Sequence, residues 1–138
     1  MLFRSCAGGV VFQGNTVLLL QNEKKEWVLP KGLIQSGTTA PQTAETRVKI
    51  EANVEAKTIS IAGHTTYEFY SATRQQPVCN DIAWYLMESK GQTAMPNRKE
   101  GFVDGGFFTM TEAMERITYS QDRALVRSAY SRYLSSRK

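Results

Sequence analysis

Residues 27–54 read WVLPKGLIQSGTTAPQTAETRVKIEANV, and this segment decides the fold. Its first residues, 27–29, form a short apolar run that predicts a strand. Pro30 ends this run, because proline lacks the N–H that the interior of a sheet requires. A polar loop follows and contains two glycines, Gly32 and Gly37. The first half of the segment therefore predicts a strand that opens into a loop.

The second half of the segment predicts a helix over residues 41–52, a stretch without glycine. Pro41 fits the first turn of a helix, where its missing N–H costs nothing. Asn53 follows the last of these residues and can adopt the left-handed conformation that closes helices. The order predicted for the whole segment is strand, loop, helix and stop.

This order of elements and its residues resemble the Nudix box, whose pattern is G-x5-E-x7-R-E-U-x-E-E-x-G-U, with U a bulky aliphatic residue. The frame fits from Gly32 without a gap, and the residues 29–32, LPKG, are also typical of that family. The resemblance covers nearly the whole chain and implies an α+β fold, a Nudix-type α/β/α sandwich with a mixed sheet, in a single domain over residues 1–138. The residues that match the pattern are Gly32, Gly37, Ala44, Val48, Glu51 and Val54.

The positions that carry the family's chemistry are mostly changed. Glu51 is the one box carboxylate that is kept. In place of the family's first Glu, its Arg, the next Glu, the first of the paired Glu residues and the last Gly, this chain has Thr38, Thr46, Arg47, Ile50 and Asn53.

These changes bear directly on metal binding. Nudix enzymes split a diphosphate linkage with Mg²⁺ or Mn²⁺ held by helix carboxylates, and such cations require several oxygen ligands. Ile50 supplies no oxygen, and Arg47 lies four residues before Glu51, where the two side chains can pair. We therefore interpret the box as one that keeps its structural residues and has lost most of the carboxylates needed for its chemistry. A surface or salt-bridged Glu51 without a catalytic role is the alternative.

Composition narrows the remaining classes of function. The chain of 138 residues has a formal net charge of +4 and 41% hydrophobic residues, which suits one domain with a proper core. Its two cysteines, Cys6 and Cys79, form no C-x-x-C pair, and the single His64 cannot complete a zinc site. We expect a cytoplasmic protein without a membrane contact, because no signal peptide and no apolar run of about 20 residues is visible.

The rest of the chain predicts further strands and two more helices. Ala7, Gly8 and Gly9 lie within the first predicted strand and indicate close approach, either of a bound nucleotide or of the box helix. Residues 104–106, DGG, predict a turn. Strands are predicted at 2–12, 16–21, 27–29, 55–63, 65–72 and 78–88, and helices at 109–117, with Thr111 as N-cap, and at 122–134.

Several residues are candidates for a site. Glu51 is the candidate catalytic residue and metal ligand, and Glu100 is a second candidate metal ligand, since family members often use a carboxylate outside the box. Glu45, Glu68 and Glu88 are further carboxylates that we considered. Tyr67 has the aromatic face on which a base can stack, and Arg74 suits a phosphate. The candidate ligand-binding residues are Lys31, Gly32, Arg47, Tyr67 and Arg74.

Three functions remain open. The first is binding of a nucleoside-diphosphate-containing ligand, with standard Mg²⁺-dependent pyrophosphate hydrolysis lost or weak. The second is a diverged, active pyrophosphohydrolase that acts on a nucleotide or dinucleoside polyphosphate, with Mg²⁺ or Mn²⁺ held by Glu51 and a carboxylate such as Glu45, Glu68 or Glu100. The third is a protein-interaction subunit. An RNA end is a further candidate ligand, and Nudix proteins are often homodimers. The sequence does not name the ligand.

Overall fold

The structure is a computed structural model that describes residues 1–137. Within them the chain forms seven strands, three α-helices and one short 3-10 helix, Arg98–Glu100. The strands are β1 (Leu2–Gln13), β2 (Thr16–Asn22), β3 (Trp27–Val28), β4 (Lys31–Leu33), β5 (Lys57–Ser71), β6 (Gln76–Glu88) and β7 (Phe102–Thr109). The helices are α1 (Ala40–Ala52), α2 (Met110–Arg116) and α3 (Ser120–Ser136).

Strand β1 is the centre of a mixed sheet. It pairs in parallel with β6 along its length and in antiparallel with β2 at its end, in the order β3-β2-β1-β6-β5. Its first half also pairs in antiparallel with β4, and β7 pairs with β2. Since β6 occupies one edge of β1, β4 and β2 pair with its other edge, β4 near the middle of β1 and β2 at its end.

Helices cover both faces of this sheet, and each face has its own apolar core. On one face α1 buries Ala44, Val48 and Ala52. On the other face α2 and α3 pack, and Tyr133 of α3 stacks on Phe12 with ring centroids 5.0 Å apart. Each large side chain buried in this way contributes about 1.5–3 kcal/mol. This arrangement confirms the predicted α/β/α sandwich with a mixed sheet.

Local capping explains where α1 begins and ends. The Thr39 hydroxyl accepts a hydrogen bond from the Gln42 N–H, and the Gln42 side chain accepts one from the Thr39 N–H, which satisfies two free donors of the first turn. Asn53 closes the helix in the left-handed conformation, with φ 57°. The predicted helix is thus confirmed, and it begins one residue before Pro41, at Ala40.

The glycines of β1 serve close packing. A Cβ on Gly9 would lie 2.9 Å from Val48 Cγ2 of α1, and a Cβ on Gly8 would lie 2.5 Å from the Pro30 carbonyl oxygen and 2.5 Å from Trp84 Cζ3. Of the two predicted explanations, contact with the box helix is therefore the one that fits Gly9.

The turn predicted at residues 104–106 is wrong, because these residues lie inside β7. Glycine is needed there for packing, since a Cβ on Gly105 would lie 2.8 Å from Leu20 Cδ2 and 2.9 Å from the Leu19 carbonyl oxygen. The two strands predicted at 55–63 and 65–72 also form one strand, β5, whose pairing with β6 shifts register just before Gly63.

The cap predicted for the short second helix is wrong by two residues. Thr109, not Thr111, is the N-cap of α2, and its hydroxyl accepts a hydrogen bond from the Glu112 N–H. Thr111 is exposed within the first turn. Both threonines suit a cap, but only Thr109 has an acidic residue three positions later to complete the reciprocal bond.

Helix α3 also closes part of the free edge of β5. The Arg132 guanidinium donates hydrogen bonds to the carbonyl oxygens of Ile61, at 3.0 Å, and Ala62. Gln121 donates through Nε2 to the Thr66 carbonyl oxygen at 2.8 Å. The end strand of the sheet therefore has some of its outer carbonyl groups already paired.

The cysteines lie where the sequence predicts them. Cys6 in β1 and Cys79 in β6 are both buried free thiols, and burial raises the pKa of Cys6. Among residues 1–137, the helices are too short or too polar to span a bilayer.

The close packing at Gly8 predicts a stability effect. We expect Gly8→Ala to lower the free energy of unfolding by about 1–3 kcal/mol, because the new methyl group has no room against Pro30 and Trp84. Gly106→Ala is the matched control, since its Cβ would have no neighbour closer than 3.9 Å. Urea denaturation of both variants measures the difference, and equal midpoints would contradict it.

Candidate functional site

A cavity of about 210 Å³ lies beside α1 and between the residues that follow β3, the two longest strands and the start of α3. Its lining combines charged and aromatic side chains from distant parts of the sequence. The charged residues are Glu26, Lys31, Glu51, Glu100 and Asp122, and the aromatic residues are Tyr67, Trp84, Phe102 and Tyr119.

Arg47 connects the two carboxylates at one end of this cavity. Residues four apart share a helix face, so α1 places Arg47 beside Glu51. The guanidinium donates to Glu51 Oε2 from Nε at 3.0 Å and from Nη2 at 2.7 Å. Nη2 also donates to Glu100 Oε1 at 2.6 Å. One guanidinium therefore joins α1 to the 3-10 helix through charge-assisted hydrogen bonds.

Burial and neighbouring charges have opposite effects on the pKa values of Glu51 and Arg47. Glu51 is only 3% exposed. Burial raises the pKa of its carboxyl to about 7, although Arg47 and Lys31 oppose the rise. Burial also opposes the charge of Arg47, but Glu100 and Glu51 outweigh it, and the pKa of Arg47 lies above its ordinary value. Arg47 is thus held as a permanent cation.

Gly32 makes room for this cation. A Cβ at Gly32 would lie 2.6 Å from Cδ and 2.7 Å from Nε of Arg47. The glycine of the box therefore lets the Arg47 stem lie flat against the chain that enters the loop. Its predicted part in ligand binding stays a prediction.

The residues at this end of the cavity do not fit a resident Mg²⁺ or Mn²⁺. Such an ion needs several free oxygen ligands, whereas Glu51 Oε2 and Glu100 Oε1 both accept hydrogen bonds from Arg47. Ile50, at a position where the family has a glutamate, contributes no oxygen. Among residues 1–137 no group of three or more His, Cys, Asp or Glu side chains is arranged to hold a metal.

The other carboxylates that the sequence singled out have different positions. Glu45 accepts hydrogen bonds from the Thr58 N–H at 3.1 Å and the Thr58 hydroxyl at 2.6 Å, which ties it to β5. Glu88 accepts one from the Tyr133 hydroxyl at 2.6 Å. Glu68 is exposed and does not line the cavity. Of the carboxylates considered from the sequence, Glu100 is the one that the fold brings to Glu51.

The candidate ligand-binding residues divide into two groups. Lys31 and Tyr67 line the cavity, and Tyr67 is 38% exposed, with its ring stacked on Phe69 at 5.7 Å. Arg74 is exposed in the turn between β5 and β6 and does not line the cavity. Gly32 and Arg47 line a neighbouring pocket between the loop and α1 instead, and Arg47 contacts the cavity through Glu51 and Glu100. The binding roles of these residues stay predictions.

Among the charged residues and tyrosines of the cavity, three were not predicted from the sequence: Glu26, Tyr119 and Asp122. The Tyr119 hydroxyl donates to Glu26 Oε2 at 2.5 Å and so closes one side of the cavity. Asp122 lies in the first turn of α3 and is 8% exposed. An acid in a first turn is an ordinary helix signal, so no separate feature of the sequence indicated that Asp122 faces a cavity.

A comparison with protein-family models matches the NUDIX domain over residues 2–129. Solved structures give the same fold at low identity. The C. elegans Ap4A hydrolase, in a binary complex, is similar with a TM-score of 0.73 and 21% identity, over 96% of this chain and 98% of that one. The E. coli dihydroneopterin triphosphate pyrophosphohydrolase is similar with a TM-score of 0.70 and 17% identity, over 91% and 95%.

A third similar structure is an ADP-ribose pyrophosphatase from Streptococcus suis 89-1591. Its TM-score is 0.67 at 19% identity, over 92% of this chain and 91% of that chain. At these identities the likeness concerns the fold alone.

The raised pKa of Glu51 predicts a pH dependence of stability. A carboxyl that titrates at about 7 in the folded protein and at its ordinary 4.5 in the unfolded chain makes the folded state bind the extra proton. Stability therefore falls as pH rises through this window, by about 1.4 kcal/mol per unit of pKa difference.

We expect Glu51→Gln to remove this contribution. Urea denaturation from about pH 5 to about pH 8 would then show a smaller loss of stability in the variant than in the original protein. Glu115→Gln is the control, because Glu115 is exposed on α2. Parallel curves for Glu51→Gln and the original protein would refute the assignment.

Proposed function

The chain belongs to the Nudix family, and from this premise we propose that it binds a nucleoside-diphosphate-containing ligand in the cavity beside α1. In this proposal standard Mg²⁺-dependent pyrophosphate hydrolysis is lost or weak. The observation that carries it is the Arg47 guanidinium, which is bonded to Glu51 and Glu100 where Nudix enzymes hold a divalent cation on box carboxylates.

Arg47 has donors left for a ligand. Its Nε and Nη2 groups serve Glu51 and Glu100, but no acceptor among residues 1–137 takes a hydrogen bond from Nη1. The side chain is 25% exposed and lines the pocket between the loop and α1, next to Glu51 and Glu100 of the cavity, so the guanidinium is within reach of solvent. Guanidinium groups bind phosphate oxygens in a planar, paired geometry. Arg47 can therefore neutralise a diphosphate without a metal.

Further positive charge lies near the same end. Lys31 lines the cavity and forms no ion pair within the described residues. Arg98 and Lys99 are exposed in the 3-10 helix that carries Glu100. Phosphates are thus expected at the Arg47 end, and Tyr67 is expected to stack on a base, which is worth roughly 1–3 kcal/mol.

The chemistry of hydrolysis is poorly served by these residues. A guanidinium stabilises negative charge, but it does not lower the pKa of a bound water as a metal ion does. Removing one preorganised electrostatic group commonly reduces the rate by about 10²–10³. Arg47 and Ile50 stand where the family has two such carboxylates, so a large loss of rate is expected.

One observation favours the second candidate function, a diverged hydrolase. The pKa of Glu51 is raised to about 7, which suits a general base at neutral pH. In that case Glu51 takes a proton from water while Arg47 and Lys31 stabilise the charge on the phosphates. The similar C. elegans structure is an Ap4A hydrolase, so dinucleoside polyphosphates belong among the tested substrates.

Ligand binding should not depend on a divalent cation. We expect ADP, ADP-ribose, a dinucleoside polyphosphate or capped RNA to raise the melting temperature equally with Mg²⁺, Mn²⁺ or EDTA, because Arg47 already supplies the cation. A thermal-shift screen with a parallel assay of phosphate release measures both properties.

Two results of this screen would reject the proposal. Release of phosphate that requires a metal and vanishes in Glu51→Gln would establish the diverged hydrolase. Absence of any response to nucleotides, dinucleoside polyphosphates and capped RNA would favour the protein-interaction subunit.

Restoring the family's carboxylates should restore a metal site. We expect the double variant Arg47→Glu/Ile50→Glu to be stabilised by Mg²⁺ or Mn²⁺, since its helix then offers three carboxylates near Glu100. Lys49→Glu is the matched control, because it makes a comparable charge reversal at an exposed position on the same helix. Equal melting curves of the double variant with Mg²⁺ and with EDTA would contradict the interpretation of Arg47 as a replacement for the metal.

A further inference from the structure

Asp122 is a buried carboxylate that faces the cavity without a partner. It lies in the first turn of α3, is 8% exposed and lines the cavity. The hydrogen bonds and ion pairs within residues 1–137 include none to its carboxylate oxygens, and no fully enclosed side-chain atom there lacks a partner, so these oxygens keep contact with the open cavity. It forms no reciprocal capping box either, since the N-cap residue Tyr119 makes no side-chain capping bond.

The polar groups around Asp122 are already paired with one another. Trp84 donates through Nε1 to the Thr65 hydroxyl at 2.8 Å. The Tyr119 hydroxyl donates to Glu26. Gln121 donates to a backbone carbonyl of β5. The Asp122 carboxylate is therefore the acceptor that this part of the cavity leaves for a ligand.

The charges of the cavity indicate which part of a nucleotide suits the Asp122 end. Four of its lining residues are acids and Lys31 is the one base among them. Burial raises the pKa of Asp122 to about 6, and Lys31 opposes this rise, so the group is mainly ionised at neutral pH. An ionised carboxylate accepts hydrogen bonds and repels phosphate. The Asp122 end therefore suits N–H donors, and the Arg47 end suits the phosphates.

We propose that Asp122 determines base specificity by accepting two hydrogen bonds from a 2-amino-4-oxopyrimidine edge, the ring N–H and adjacent amino group that guanine and pterins share. This inference rests on the proposed function, because it assigns the base of the same ligand. The two oxygens of a carboxylate match two adjacent donors. Adenine instead presents one amino donor beside a ring nitrogen acceptor, and that acceptor would repel the second oxygen.

The remaining lining suits a flat ring. Val28, Leu29 and Ile82 are apolar, and the exposed part of the Tyr67 ring is available for stacking. Stacking tolerates any base, so these residues add affinity without distinguishing one base from another. Discrimination is left to Asp122, as in sites that read the hydrogen-bonding edge of an unpaired base.

The test compares GDP, IDP and ADP by calorimetric titration, with EDTA present. IDP differs from GDP only in lacking the 2-amino group. We expect GDP to bind about 10–100-fold more tightly than IDP, since one hydrogen bond to a charged group is lost, and ADP to bind more weakly than GDP. Neopterin triphosphate, run in parallel, distinguishes a pterin ligand from a guanine nucleotide.

Asp122→Asn tests the residue itself. An amide offers one acceptor and one donor, so GDP binding should weaken about 10–100-fold and the preference should move toward ADP. Asp81→Asn is the matched control, because Asp81 is exposed on β6 and the substitution makes the same chemical change. A purely structural role for Asp122 would lower stability and leave the order of the bases unchanged.

The possible results separate the two proposals. Preference for GDP or the pterin that is lost in Asp122→Asn supports the inference. Nucleotide binding without preference among the bases, or with a preference that survives Asp122→Asn, would overturn the inference and leave the proposed function intact. Absence of binding by all four ligands would overturn the inference, and the screen with ADP-ribose, dinucleoside polyphosphates and capped RNA then decides the proposed function separately. If Asp122→Asn fails to fold, the affinities of the original protein for GDP, IDP and ADP still test the inference.

Discussion

The ion pair between Arg47 and Glu51 is the constraint on which the site depends. Glu51 is buried at the end of α1, where a carboxylate without a partner is costly. Arg47 supplies that partner and extends the contact to Glu100. The same end of the helix fixes the chain before the 3-10 helix, because the Asn97 N–H donates to the Glu51 carbonyl oxygen at 2.9 Å. The position of Glu100 at the cavity thus follows in part from contacts made by Arg47 and Glu51 of α1.

This arrangement keeps the Nudix fold while most of the box positions that hold the metal in the family are changed. In the Nudix family the glycines, the apolar positions and the caps of the box build the loop and helix, while the glutamates hold the metal. Here the first set is kept except for the last glycine, which is Asn53, whereas Glu51 is the one box glutamate that remains and Arg47 bonds to it. A fixed cation can hold a phosphate, but it does not activate water as a metal does. The chain illustrates that family membership establishes a fold more directly than an activity.

The sequence predicted the features that depend on neighbours in the chain. The helix end at Asn53 and the Arg47–Glu51 pair follow from local conformation and helical spacing, and both are present. Features that depend on distant residues were harder to predict. The sequence did not distinguish Glu100 from the other candidate carboxylates, and only the fold shows that it contacts Arg47. Asp122 showed no sign of facing a cavity, and Gly105 was taken for a turn residue because its close neighbours, Leu19 and Leu20, lie far away in sequence.

Helix α3 has a second consequence through its contacts with β5. An unpaired strand at the end of a sheet is a template on which another chain can add by backbone hydrogen bonding, which leads to aggregation. Arg132 and Gln121 already bond to carbonyl groups of this strand, at Ile61, Ala62 and Thr66. An incoming strand would have to displace both side chains. Solubility at high concentration therefore depends on two polar residues of α3 that contribute little to either apolar core.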